Sequence, residues 1–281
     1  MMTETPAQRT PPRWLRPTAM RLVCMLVAFV GVLVLSNVIN LAVEGNAVFG
    51  LLFGVVTAGL ALWLYVVAVR FTERRPVTEL EKTGARGVVL SGAGIGLGLF
   101  TATILLIALF GGFSVAGWGS FGGALSFLGL MCATAVTEEL LFRGVLFRIL
   151  EEMTGTWRAL GISAVLFGVI HLLNPGASFW GAIAVAVEAG LMLGSAYIAT
   201  RSLWLPIGLH LGWNFAASGV FTTITSGGQH SAHGLLDTVL SGPAVLTGGS
   251  FGPEGSIFAI LVCSVPTVLF LRSARRRGLI R

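Results

Sequence analysis

The sequence predicts an all-α fold: a polytopic membrane helix bundle of about eight transmembrane helices with both termini cytoplasmic. Three observations predict it. Of the 281 residues, 55% are hydrophobic and 11% charged, and the mean hydropathy is +0.88. Apolar runs long enough to span a bilayer recur along the chain. The basic residues fall in every second connection between those runs, as the positive-inside rule requires. The same rule accounts for a pI near 10.2 without a nucleic-acid partner; the partner expected is the lipid bilayer itself.

Taken in order, the spans are read at 19–41, 48–70, 88–111, 121–148, 158–174, 178–200, 203–221 and 256–272. The first is too long for a signal-peptide core and lacks a small-residue cleavage site, so it reads as an anchor. The third holds "SGAGIGLG" (Ser91–Gly98), which lacks GxGxxG spacing and reads as close helix packing through small residues. The fourth is long enough to tilt or to extend past the bilayer, and the fifth is near the minimum length. In the seventh, Pro206 is expected to open the backbone one turn before His210. The connection at 222–255 is long, rich in Gly and Ser, and assigned to the outside. The division is a basic cytoplasmic tail over 1–18, a membrane domain over 19–272 and a second basic tail over 273–281.

Orientation follows from the cations. Arg9, Arg13, Arg16 and Arg21 precede the first span, and Arg70, Arg74, Arg75, Lys82 and Arg86 lie between the second and third. Arg143, Arg148 and Arg158 bracket the fourth turn, Arg201 follows the sixth span, and Arg272, Arg275, Arg276, Arg277 and Arg281 close the chain. With both termini inside, all 18 basic residues sit at or near one face. Cys24, Cys132 and Cys263 lie in separate apolar runs and form neither a disulfide framework nor a zinc-type spacing.

Ionisable groups at bilayer depth cost about 2.5–3.5 kcal/mol each on insertion scales, so they mark cavities and function. Glu138, Glu139 and Arg143 interrupt the fourth span. Glu139 and Arg143, four residues apart, share a helical face, while Glu138 points about 100° away and has no local partner. His171 follows Phe167 by one turn in the fifth span. His210 and Asn214 share a face in the seventh. Glu188 stands alone in the sixth and reads as a structural hydrogen-bonder rather than part of a substrate path. Three spans that each offer a Glu, a His or a His/Asn pair can converge on one site. A carboxylate and an imidazole holding one water make a general-base pair, with a second His and an Asn donating to an oxyanion. Alternatively Glu138, His171, His210 and Asn214 ligate a divalent metal such as zinc whose bound water attacks. Both routes hydrolyse an acyl bond.

"EELLFR" (Glu138–Arg143), "FGVIH" (Phe167–His171) and "HLGWN" (His210–Asn214) fit EExxxR, FxxxH and HxxxN in order. In these residues the chain resembles the CPBP family of intramembrane proteases, also called the CAAX protease and bacteriocin-processing, or Abi, family. The family core would cover about 120–220. The resemblance implies an intramembrane protease acting on membrane-associated protein or peptide substrates. It makes Glu138 the general base and His171 its helper in holding water. It makes His210 and Asn214 an oxyanion hole, or metal ligands in the metalloprotease description, with Glu139 and Arg143 in support. A bacterial plasma membrane is the expected location.

Helix rise places Glu138 and His210 in the inner half of the bilayer and His171 nearer the middle. A cavity opening towards the cytoplasm, for a substrate arriving along the inner leaflet, is the expectation. Among rival readings, HExxH and GxGD are absent. "GGSFG" (Gly248–Gly252) fits GxSxG but lies in the external loop, and His230 and His233 there read as solvated. A proton-coupled transporter would show inverted repeats between halves, and none is visible. A proteolytically silent scaffold or immunity protein is the other alternative; Glu138→Ala separates it from a protease.

Overall fold

The computed structural model describes residues 17–228 and 233–281. Arg9, Arg13, Arg16 and His230 lie outside the described residues. The long helices are α1 (Thr18–Val43), α2 (Ala47–Thr72) and α3 (Ala85–Leu109). Next comes α4 (Phe121–Glu139), which runs on through a π-helical stretch, Leu140–Phe147, into α5 (Arg148–Thr154). The chain continues as α6 (Thr156–Ile170), α7 (Phe179–Val185), α8 (Met192–Thr200) and α9 (Trp204–Asn214). After α10 (Ala244–Thr247), it ends in α11 (Ile257–Arg276). Among the described residues, seven helical segments are long and apolar enough to cross a membrane. Their exposed faces carry Val27, Leu41, Trp63, Leu105 and Leu109, a surface suited to lipid. The chain is an integral, multi-pass, all-α membrane protein.

The segment read as the seventh span is shorter than those seven. It is the eleven residues of α9 continued by six π-helical residues, Phe215–Val220. Pro206 does not open this helix. It sits in the first turn of α9, where its missing N–H would have no intrahelical partner anyway. The departure from α geometry comes instead after Asn214, as the π-helix.

One small sheet interrupts the all-α reading. Strand β1 (Phe113–Trp118) pairs antiparallel with β2 (Leu236–Leu240), with an irregularity between Val115 and Gly117. The described parts of the 222–255 connection, 222–228 and 233–255, pack on the bundle end: Phe251 and Glu254 are each 1% exposed.

Two helix pairs carry most of the packing through glycine. Gly54 of α2 lies against the backbone of Gly129 of α4, and Gly212 of α9 against the backbone of Ala93 of α3. A side chain at either position would meet main chain, which cannot rotate away. Gly129→Val should therefore separate α2 from α4 and cost about 1–3 kcal/mol or more. A fall in detergent melting temperature checks this, and an unchanged value would contradict it.

The opposite terminal regions of the helices meet in a polar network. Arg21 of α1 pairs with Glu152, and Arg148 with Glu73. Arg75 pairs with Glu79 at 2.7 Å and Tyr65 donates to the same carboxylate at 2.6 Å. Arg201 pairs with Glu151 at 2.5 Å, and the Arg281 carbonyl accepts from the Thr156 N–H at 3.0 Å. The start of α1, the end of α2, the α5–α6 turn and the end of α11 thus share one end of the bundle. The sheet occupies the other.

Burial alone would raise the Glu79 pKa, but the bonds from Arg75 and Tyr65 win and hold it below the ordinary 4.5. A depressed folded-state pKa stabilises above the unfolded value and loses that stabilisation as pH falls through the folded value. The melting temperature should drop on acidification below pH 4.5. In Glu79→Gln it should start lower at neutral pH and depend less on acid; an equally steep acid drop in the variant would exclude Glu79 as the cause.

Candidate active site

Ser120 starts α4 by accepting from the Gly123 N–H at 3.0 Å. From there the helix runs 34 residues to Thr154. Glu138 lies roughly 25 Å from either end at 1.5 Å per residue, the midpoint of this helix. The helix extends through α5 beyond the apolar span read to 148. His210 is likewise central on its helix pair, since Gly96 near the middle of α3 packs on Leu209 and Trp213.

Glu139 and Arg143 form the expected pair, at 2.9 Å and with both side chains 0% exposed. Arg143 also donates to the Ala189 and Gly190 carbonyls, each at 3.1 Å. Those carbonyls belong to a second π-helical stretch, Ala186–Leu191, whose altered bonding pattern offers oxygens sideways. The guanidinium lies 4.7 Å from the centre of the Phe167 ring. One cation thus ties three helices together at the motif.

Glu139 Oε1 is also 2.9 Å from His210 Nδ1. A carboxylate only accepts, so Nδ1 carries a proton, and in the neutral ring Nε2 keeps its lone pair. That Nε2 is 3.9 Å from Glu138 Oε2. The gap is too long for a hydrogen bond, and Glu138 Oε2 has no hydrogen-bond partner among the described residues. His171 ends α6, and its Nδ1 donates to the Phe167 carbonyl at 2.6 Å, which again leaves Nε2 free of the proton. The Phe167 ring lies 5.0 Å from the His171 ring and 6.1 Å from that of His210.

Glu138, His171, His210 and Asn214 all line one cavity of about 940 Å³. The structure therefore brings together the four candidate catalytic residues, with Glu139 and Arg143 buried behind them. Glu188, read as structural, also lines this cavity; its carboxylate accepts from the Cys263 thiol at 3.7 Å.

The described cavity wall extends furthest towards the sheet end, not the end that carries the termini. It continues to Asn37, Asn40 and Glu44 at the far end of α1, to Asn174 and Pro175, and to Glu254. These lie on the side of the sheet. The physical reason is the clustering of long polar side chains at the other end, where Arg148, Arg201 and their partners close the bundle.

Sequence reasoning missed Glu254 and the α1 contribution. Glu254 accepts from the Trp213 indole at 2.6 Å and from the Ser226 hydroxyl at 2.5 Å, so it clamps the 225–228 segment over the cavity. Asn40 donates to the Thr134 hydroxyl at 3.3 Å. The legible signal was Asn37 and Asn40, two amides three residues apart in the first apolar run. The GxSxG match carries no site: Ser250 is exposed and bonds the Gly176 carbonyl. His233 is exposed and pairs with Asp237 at 2.6 Å.

Among the described residues, no three His, Cys, Asp or Glu side chains are grouped to hold a metal ion. Each histidine gives Nδ1 to a protein acceptor and keeps Nε2 open on the cavity side, an arrangement that suits a held water and a metal ligand alike.

Residues 120–216, roughly a third of the chain, match the family model described as type II CAAX prenyl endopeptidase Rce1-like. No curated protein and no solved structure matches the chain. The matched segment contains every motif residue from Glu138 to Asn214. Residues 120–216 are therefore Rce1-like, in keeping with the CPBP family of CAAX proteases.

Proposed function

We propose that the chain is an intramembrane endopeptidase that hydrolyses peptide bonds of membrane-associated substrates with water activated by Glu138 and His210. The observation that carries this reading is the 3.9 Å gap between the bare Glu138 Oε2 and His210 Nε2. A water oxygen fits between them and donates one hydrogen bond to each. Two acceptors on one water, beside a cavity large enough for a peptide, make a general-base site.

In this reading the water attacks the scissile carbonyl carbon and its proton passes to Glu138. Asn214 donates its amide N–H to the oxyanion. The C–N bond then breaks and Glu138 returns the proton to the leaving amine. Glu139 holds His210 in the tautomer that keeps Nε2 open, much as a carboxylate orients the imidazole of a triad. Arg143 compensates the Glu139 charge. The roles of the two histidines differ here from those the resemblance implied. His210, with its lone pair facing the water, helps to hold it and has no proton for an oxyanion. His171, with Nδ1 given to Phe167, offers a second acceptor on the cavity wall. No step runs through a metal.

Cleavage in proteoliposomes tests the proposal. Prenylated and unprenylated peptides are incubated with wild type and new termini are read by mass spectrometry, with and without a chelator. Chelator-resistant cuts are expected. Activity that chelation abolishes and a divalent ion restores would overturn the metal-free mechanism. Asn214→Ala should lower the rate about 10²–10³-fold with KM little changed, if it serves the oxyanion; a change in KM alone would assign it to binding instead.

A further inference from the structure

We infer that the site draws its substrate from the half of the membrane remote from the chain's basic ends. The substrate would be a membrane-anchored polypeptide cut near the non-cytoplasmic surface, not a cytoplasmic C-terminal tail. The inference rests on the proteolytic reading for what happens to the substrate, but not for where the cavity opens.

Two independent features carry it. The first is position. The exposed residues on the cavity wall are Val30, Val34, Asn37 and Leu41, from the middle of α1 to its end, and Leu173 and Pro175 after α6. They flank a lateral mouth between α1 and the 171–175 turn. Leu41 is 73% exposed and Leu173 87%. Both lie towards the sheet end, because α1 starts beside Glu152 and ends beside Leu130, and α6 starts beside Arg281. The Lys and Arg residues gather at the termini end, and by the positive-inside rule that end faces the cytoplasm. The mouth then faces the opposite leaflet.

The second feature is charge. Glu138, Glu188 and Glu254 line the cavity with His171 and His210, and among the described residues no Lys or Arg does. A free C-terminal carboxylate would meet there only two imidazoles, each with one nitrogen already given to a protein acceptor, and burying a poorly paired anion is costly. An internal peptide bond, with neutral or basic flanking residues, meets no such penalty. The electrostatics thus favour an endoproteolytic cut in a continuous, anchored chain.

Single-cysteine labelling tests the side of access without relying on proteolysis. In a background with Cys24, Cys132 and Cys263 replaced by alanine, Asn37→Cys and Leu173→Cys are probed with a membrane-impermeant maleimide. Labelling in intact cells and its loss in inverted vesicles is expected, with Arg276→Cys giving the reverse pattern. Labelling from the cytoplasmic side only, or from neither side, overturns the inference. A cleavage arm uses two single-span test proteins that carry the same Ala-Gly-Arg stretch in one or the other half of the span. A cut confined to the non-cytoplasmic version supports the inference, and a cut confined to the cytoplasmic version overturns it. If neither protein is cut, the proteolytic reading fails while the labelling result still decides where the cavity opens.

Discussion

Glu138→Gln is expected to lower the cleavage rate about 10²–10⁴-fold while the protein folds and melts as wild type does. The substitution keeps shape and volume and removes only the capacity to take a proton. Glu138 Oε2 makes no hydrogen bond among the described residues, so no structural bond is lost with the charge. Removing an unpaired carboxylate from a site 9% exposed should if anything stabilise the bundle. The pair of measurements is kcat/KM on a cleaved peptide and the melting temperature in detergent. Retained cleavage would show that Glu138 is not the base. A melting temperature that falls as far as activity does would make the residue structural.

Arg143→Met should act in the opposite way, through stability first. Its guanidinium is fully buried and bonds Glu139, two main-chain carbonyls and the face of Phe167. Without it, the Glu139 carboxylate is left buried with only the His210 N–H. Breaking a buried pair from one side costs about 3–5 kcal/mol, a large share of the total stability of a typical domain. Loss of folded protein from the membrane is the expected result. The double variant Arg143→Met/Glu139→Gln should recover part of that loss, since no charge is then stranded. Equal instability of single and double variants would place the cost in the lost carbonyl bonds instead.

Much of the site was legible because membrane sequences advertise their exceptions. A carboxylate in an apolar run needs a reason, and i,i+4 spacing assigns Arg143 to Glu139 rather than Glu138, as the 2.9 Å pair shows. Span bounds were legible for the same reason: hydropathy changes sharply where a helix leaves lipid. α4 was the exception, because its last turns are amphipathic and continue as α5 beyond the apolar run. The direction of the cavity was not legible. It depends on which side chains close the other end, and the Arg148–Glu73 and Arg201–Glu151 pairs join residues 75 and 50 positions apart. Nor was the part played by Glu254, whose partner Trp213 is 41 residues away and on a different helix. The roles of the two histidines turned on which ring nitrogen each commits, a matter of fractions of an ångström that spacing does not encode.

The π-helical stretches at Leu140–Phe147, Ala186–Leu191 and Phe215–Val220 stand on three of the site-bearing helices. Each behaves as an extra residue wound into an α-helix and absorbed locally, so that the turns beyond keep their places. Removing one residue from 215–220 would let that stretch return to α geometry, whereas removing one from a regular α turn would swing everything beyond it by about 100°. Single deletions should therefore be better borne inside these three segments than in the α turns on either side of them. Among related chains, one-residue gaps should fall in these segments or in the 222–255 connection.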